Sequence, residues 1–178
     1  MREHKTDHSS IPRPLQRLKE TALKRQTLIN EIDFTYRRLL RMLPAIIKRV
    51  GGGSVEKTLR EQDGMNGIIR SRLGEVATEH GLPPQACTCE EAEAMVENLR
   101  HSDRAARTWT DRSAAVLEAL IGVRAFLIRR WSKLIGSLIP ADLQDLRNEA
   151  QAMQTQEAEL HRELIDLLHQ RDRRRDPG

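Results

Sequence analysis

Aromatic residues are almost missing from this sequence: two tryptophans, two phenylalanines and one tyrosine among 178 residues. Valine and threonine are also few, while leucine, alanine, arginine and glutamate are abundant. Sheets draw on aromatic and β-branched side chains, so this shortage argues against a sheet-rich fold and favours helix. Cysteine is equally sparse. Two thiols, Cys87 and Cys89, cannot build a disulfide framework, and a reducing cytoplasm is the expected compartment. No apolar run reaches the length needed to cross a bilayer, so no membrane association is expected. The opening residues, MREHKTDHSSIPRP, lack the apolar centre of a secretory signal. Neither an internal repeat nor a strand-like alternation is visible.

What is present is a well-mixed charge. Thirty Lys and Arg residues stand against 26 Asp and Glu, for a net charge of +4 and a pI near 9.4. A nucleic-acid surface concentrates its basic residues in a stripe interleaved with aromatics. Here the arginines are scattered among acids, which describes a salt-bridged, solvated surface. Nucleic acid is therefore not the expected partner. A salt-dependent shift assay would reveal binding through the Arg-rich tail.

Apolar residues recur in steps of three and four along four long segments, the stripe of an amphipathic helix. The first stripe runs through Leu15, Leu18, Ala22, Arg25, Ile29, Ile32, Tyr36, Leu39, Leu43 and Ile46 to Val50, and Pro44 is expected to kink it. The second runs from Val55 through Gln62 and Asn66 to Val76, with Ser54 as its expected cap. The third, the most apolar, lies between about Arg104 and Ser137 and includes Arg124. The fourth starts near Pro140 and carries Leu143, Leu146, Ala150, Met153, Glu157, Leu160, Leu164 and Leu167. Breakers fall at Gly51-Gly52-Gly53, at Gly81-Leu82-Pro83-Pro84, near Ser102-Asp103 and at Pro140. The pattern predicts an all-α chain: a four-helix bundle over residues 14–170, with disordered tails at 1–13 and 171–178.

Both cysteines lie in QACTCEEAEAMVENL, residues 85–99. Thr88-Cys89-Glu90-Glu91 has the form of a capping box, which predicts a short helix starting at Thr88. A metal site would need two more ligands at suitable spacing, and no Cys/His pair supplies them. A disulfide between residues one apart is strained. A redox role for Cys89, with its pKa lowered at a helix start, is the lesser alternative.

The run GEVATEHGLPPQACTCEEAEAMV, together with Leu43-Pro44 in the first helix and Ile135-Gly136 at the end of the third, resembles the YciF-like family of bacterial ferritin-like proteins. The resemblance covers about residues 27–168 and places Cys89 at the family's cysteine. It implies a ferritin-like antiparallel four-helix bundle with a short extra helix in the crossover. It also implies a di-iron type site of inward-facing carboxylates and histidines. The family's ligand positions fall here on Tyr36, Gln62, Met65 and Ile121, and only Glu157 keeps a carboxylate. The expectation is a protein with no metal, cofactor or catalytic residue. It would act by protein contacts, as a homodimer or with another protein, in a stress-related setting. The alternative is a ferritin-like protein with a reduced or shifted metal site.

The stripes lead to the same place by a separate route. Tyr36, Gln62, Asn66, Arg124 and Glu157 each interrupt an apolar face near mid-helix. Such positions come to similar heights in an antiparallel bundle, so the five are expected to form a buried polar layer. A buried Arg and a buried Glu are tolerable only if paired. The competing expectation is that Arg124 snorkels to solvent. His161, one turn beyond Glu157, is expected on the surface, and Glu118 on the solvated face with Arg129 and Lys133. No nucleophile–base pair, phosphate loop or HExxH motif is present. The part of the first helix upstream of the region of resemblance, through Leu15, Leu18 and Ala22, is expected to pack on a second chain or to fold back over the crossover helix.

Overall fold

Each apolar stripe becomes the buried face of a helix. The computed structural model describes residues 13–175, among which every regular element is helical. Helix α1 spans Arg13–Ile47, α2 Ser54–Glu79, α3 Glu90–Ala105, α4 Trp109–Ser137 and α5 Gln144–Arg175; a 3-10 turn at Ala141–Leu143 leads into α5. The expected tail over residues 1–13 falls, but for Arg13, outside the described residues. No helix among the described residues is long and apolar enough to cross a membrane.

Long-range hydrogen bonds fix the direction of each helix. Ser113, near the start of α4, donates to the Val50 carbonyl just past α1 (3.2 Å), while Arg25 near the start of α1 donates to the Ser137 carbonyl at the end of α4 (2.8 Å). Helices α1 and α4 are therefore antiparallel. Arg72 pairs with Glu149 and Gln62 with the Leu160 carbonyl, so α2 and α5 are antiparallel as well. With α1–α2 and α4–α5 packed as hairpins, every neighbouring pair in the ring is antiparallel. Helix α3 carries the crossover from one end of the bundle to the other. It lies against α1 and α4, tied by Arg38 to Glu93 and Glu97 and by Arg130 to Glu91. The result is a ferritin-like four-helix bundle with a short extra helix in the crossover.

Several boundaries differ from the expected ones. Ser54 is the first residue of α2 and not its cap; Gly53 holds the cap position at φ 102°, a conformation open to glycine, with no side-chain bond. Thr88 likewise does not cap α3. That helix starts at Glu90 with Cys89 at the cap position and no side-chain cap bond. Cys89 turns its thiol into the core, and Glu91 points sideways to Arg130 and not back to the backbone. Glu90, Glu91 and Glu93 still place negative charge on the helix N-terminus. Ser102-Asp103 is not a break, because Asp103 is fully buried against Arg49 and Arg112 and stays helical. The chain breaks three residues later, where Thr108 accepts from the Asp111 amide at 3.1 Å and caps α4. Helix α1 runs through Pro44 and ends at Ile47.

The two ends of the chain also depart from expectation. Helix α5 continues through the expected boundary at Arg171 to Arg175; Arg171 donates to the Thr110 carbonyl and lies over the Trp109 ring. From Gln16 to Lys24, α1 overhangs the bundle with every residue but Thr21 exposed. It does not fold back over α3. The side chain of Leu15 lies outside the described residues.

Candidate functional site

Four helices send five polar side chains, two of them from α2, into the middle of an otherwise leucine-rich core. Tyr36, Gln62, Asn66, Arg124 and Glu157 are all fully buried. Arg124 on α4 donates through Nη1 to Glu157 Oε1 on α5 at 2.8 Å. The Tyr36 hydroxyl on α1 donates to the same oxygen at 2.6 Å. From the other edge of its guanidinium, Arg124 donates to Gln62 Oε1 on α2 through Nη2 at 3.1 Å and Nε at 3.3 Å. The Gln62 amide nitrogen then donates to the Leu160 carbonyl (2.9 Å) and to Glu163 (3.2 Å). One connected network thus spans all four helices. Charge-assisted bonds of this kind strengthen in a low-dielectric interior, which is what makes two buried charges tolerable.

Asn66 is buried beside this network without joining it. Neither of its amide atoms, nor Glu157 Oε2, has a hydrogen-bond partner among the described residues. The α2–α5 register, read from Gln62 on Leu160 and Arg72 on Glu149, brings Asn66 level with Glu157. Snorkelling is the wrong picture for Arg124, because its side chain has no exposure at all.

Trp131 was read from the sequence only as part of an apolar stripe. Its indole Nε1 donates to the Tyr36 hydroxyl at 3.3 Å, so it belongs to the network. An isolated tryptophan in a stripe carries no sign of where its one polar atom points. The Tyr36 hydroxyl is held well above the ordinary tyrosine pKa, first by burial and next by the Glu157 carboxylate, with Arg124 opposing.

The remaining candidates lie elsewhere. Met65 and Ile121 are half-buried against the core, outside the network. His161 is half-buried, and Glu118, Arg129 and Lys133 are exposed. Cys87 and Cys89 are free thiols, half-buried and buried respectively. Burial pushes the Cys87 thiol up, which reduces its thiolate fraction. Two buried acids were missed altogether. Asp33 bridges Arg37 and Arg70, and Asp103 pairs with Arg49. Asp33 lies beside the α1 stripe, whereas Asp103 continues the buried face of Ala92, Val96 and Leu99 on α3 and was hidden by the break expected at Ser102-Asp103. Among the described residues no group of three or more His, Cys, Asp or Glu side chains is placed to hold a metal ion.

Among solved structures, the E. coli stress protein YciF superimposes on this chain with a TM-score of 0.73, covering 82% of it and 94% of YciF. The fold is that of YciF. Identity between the two is 16%, so the likeness is one of fold. YcfI from Rhodopseudomonas palustris has the same fold at a TM-score of 0.63 and 18% identity, covering 84% of this chain and 98% of YcfI. No family model matches the sequence, and no curated protein matches it. Any role for the polar layer in this YciF-like bundle therefore rests on the layer's own geometry.

Proposed function

We propose that this protein is a non-enzymatic ferritin-like bundle in which an ion pair takes the place of a di-metal centre, and that it works in the cytoplasm through protein contacts made by its surface. The observation that carries this reading is the guanidinium of Arg124 at 2.8 Å from Glu157, the single carboxylate of the layer. A di-metal site needs several anionic or imidazole donors converging on one volume. Here the donor set is one carboxylate, two amides and a phenol, and a fixed positive charge already neutralises the carboxylate. A dication would have to displace that charge and would meet electrostatic repulsion from it. With the interior given over to holding the helices, recognition falls to the outer faces. The likeness to YciF, a stress protein, and to YcfI, a proposed structural protein, supports a stress-related, non-catalytic role.

A second reading, a reduced or shifted metal site, draws on one observation. Glu157 Oε2 is unpaired, and His161 follows one helical turn later. Elemental analysis of protein produced with excess iron and manganese separates the two. The first reading expects metal well below one equivalent. A stoichiometric metal lost in Glu157→Gln would replace it with the second.

A further inference from the structure

Opposite the base, where α1 begins, the far end of the bundle brings together the close of α1, the Gly51–Gly53 turn, the close of α3, the start of α4 and the close of α5. Trp109, the first residue of α4, is 59% exposed there, the one exposed large apolar side chain at this end among the described residues. Its ring lies beside Gly51, where an added Cβ would stand 3.8 Å from Cε3. The Arg171 guanidinium sits 6.0 Å from the ring centre. With Gly52, Gly53 and Ser54, these two side chains line a cavity of about 330 Å³. Lys48, Arg104, Arg107 and Arg173 are exposed at the same end, each on a different segment, and none is ion-paired among the described residues. The described acids of this end are taken up: Glu56 by Arg60 at 2.6 Å, Glu61 by Lys57 at 3.9 Å, Asp103 by Arg49, and Asp111 by the Thr108 hydroxyl at 2.6 Å. Asp166 lies more than a turn before Arg171 on α5. In the sequence that follows, Arg173, Arg174 and Arg175 outnumber Asp172 and Asp176.

We propose that this end binds single-stranded nucleic acid, with one base stacked on Trp109 in the cavity and the neighbouring phosphates held by Arg171 and the exposed cations. A ligand for the cavity needs a flat ring for the indole and an anion for the guanidinium, and a nucleotide carries both in one unit. Gly52 and Gly53 leave their part of the wall without side chains, open to a planar group. Stacking asks nothing of the base but its π-face, and a base must leave its own helix to reach an indole, which selects a single strand over a duplex. One phosphate cannot reach cations placed on α1, α3, the loop before α4 and α5; successive phosphates of a strand can. A membrane surface fits less well, because only one large apolar side chain projects among these cations. An acidic peptide would answer the charges and leave the indole without a flat partner. The α1 overhang is basic as well, through Arg17, Lys19 and Lys24, but it has no aromatic ring on which to stack a base. Along the chain the contributing residues spread from 48 to 173, so the arginines look scattered until the fold collects them.

Nothing in this contact depends on the Arg124–Glu157 pair, so strand binding and metal content answer separate questions. With the full chain and a fluorescein-labelled oligothymidylate, fluorescence anisotropy at low salt should show saturable binding, and the same strand annealed to its complement should bind about tenfold more weakly. Trp131 is fully buried and Trp109 exposed, so quenching of tryptophan emission by unlabelled strand reads Trp109 without any mutation. With roughly four phosphates engaged, log affinity should fall against log salt with a slope of about −3. Trp109→Leu should weaken binding about tenfold with the salt slope and the helical circular dichroism signal unchanged. Arg104→Gln/Arg107→Gln should make the slope shallower by about 1.4. Lys19→Gln/Lys24→Gln, on the overhang, should alter neither affinity nor slope. No saturable binding, binding indifferent to Trp109→Leu, a duplex held as tightly as the strand, or tighter binding to polyglutamate or to phosphatidylserine vesicles would overturn the proposal.

Discussion

Glu157 is an acid that the core keeps because Arg124 and Tyr36 both point at one of its oxygens. Removing either member of the ion pair strands a buried charge. Glu157→Leu and Arg124→Leu should each lose about 3–5 kcal/mol in urea melts, while the double variant should lose much less than either. Additive losses below about 1 kcal/mol each would show a pair behaving as though exposed. Tyr36 offers a second test, since it is the sole tyrosine. Its folded pKa lies above the ordinary value of 10.0, so the unfolded chain gives up this proton first. The stability held by the neutral phenol is therefore complete below pH 10 and lost as pH rises past it. Tyrosinate absorbance should stay absent in the folded protein above pH 10 and appear only with loss of the helical circular dichroism signal. A tyrosinate band from an intact fold would contradict the buried hydroxyl. Interruptions of the stripes marked which residues to watch. They could not show that Asn66 stays outside the network or that Trp131 enters it, because those outcomes depend on side-chain direction and not on spacing.

At the scale of elements, helix interiors were legible and their ends were not. Every stripe residue from Leu143, in the 3-10 turn before α5, to Leu167 is buried. Yet α2 and α3 start without the side-chain caps their sequences suggest, and α3 runs through an expected break. Periodicity sums over many residues, whereas a boundary turns on one or two local bonds. The end of α2 is a case where the local chemistry is complete. Gly81 sits at φ 71°, its amide bonds to the Thr78 carbonyl and the Leu82 amide bonds back to Ala77, with Leu82 packed on the core. Gly81→Ala should cost about 1–2 kcal/mol in thermal or urea melts, because an L side chain resists that conformation. A neutral substitution would mean that the turn relaxes without cost. No Cβ clash complicates the test, since nothing lies within 4 Å of where the atom would be.

For the whole molecule, the overhang and the bundle are separable. Residues 16–24 bury almost nothing in one chain, so deleting residues 1–24 should leave the melting temperature in dilute solution nearly unchanged. A large fall in the dilute-solution melting temperature would place the overhang inside the single-chain core instead. The directions of the helices carry a different consequence. Helix α1 sets out from the base, and α5, antiparallel to α4, finishes at the far end. The described chain therefore enters at one end and leaves at the other, and the 35-residue α1 alone measures about 52 Å. Tension between those ends would run along the helix axes. It would load every packed layer in shear at once, with the Arg124 network as a tie across all four helices, instead of peeling helices away one by one. Pulled from its two ends, such a bundle would hold or fail as one unit.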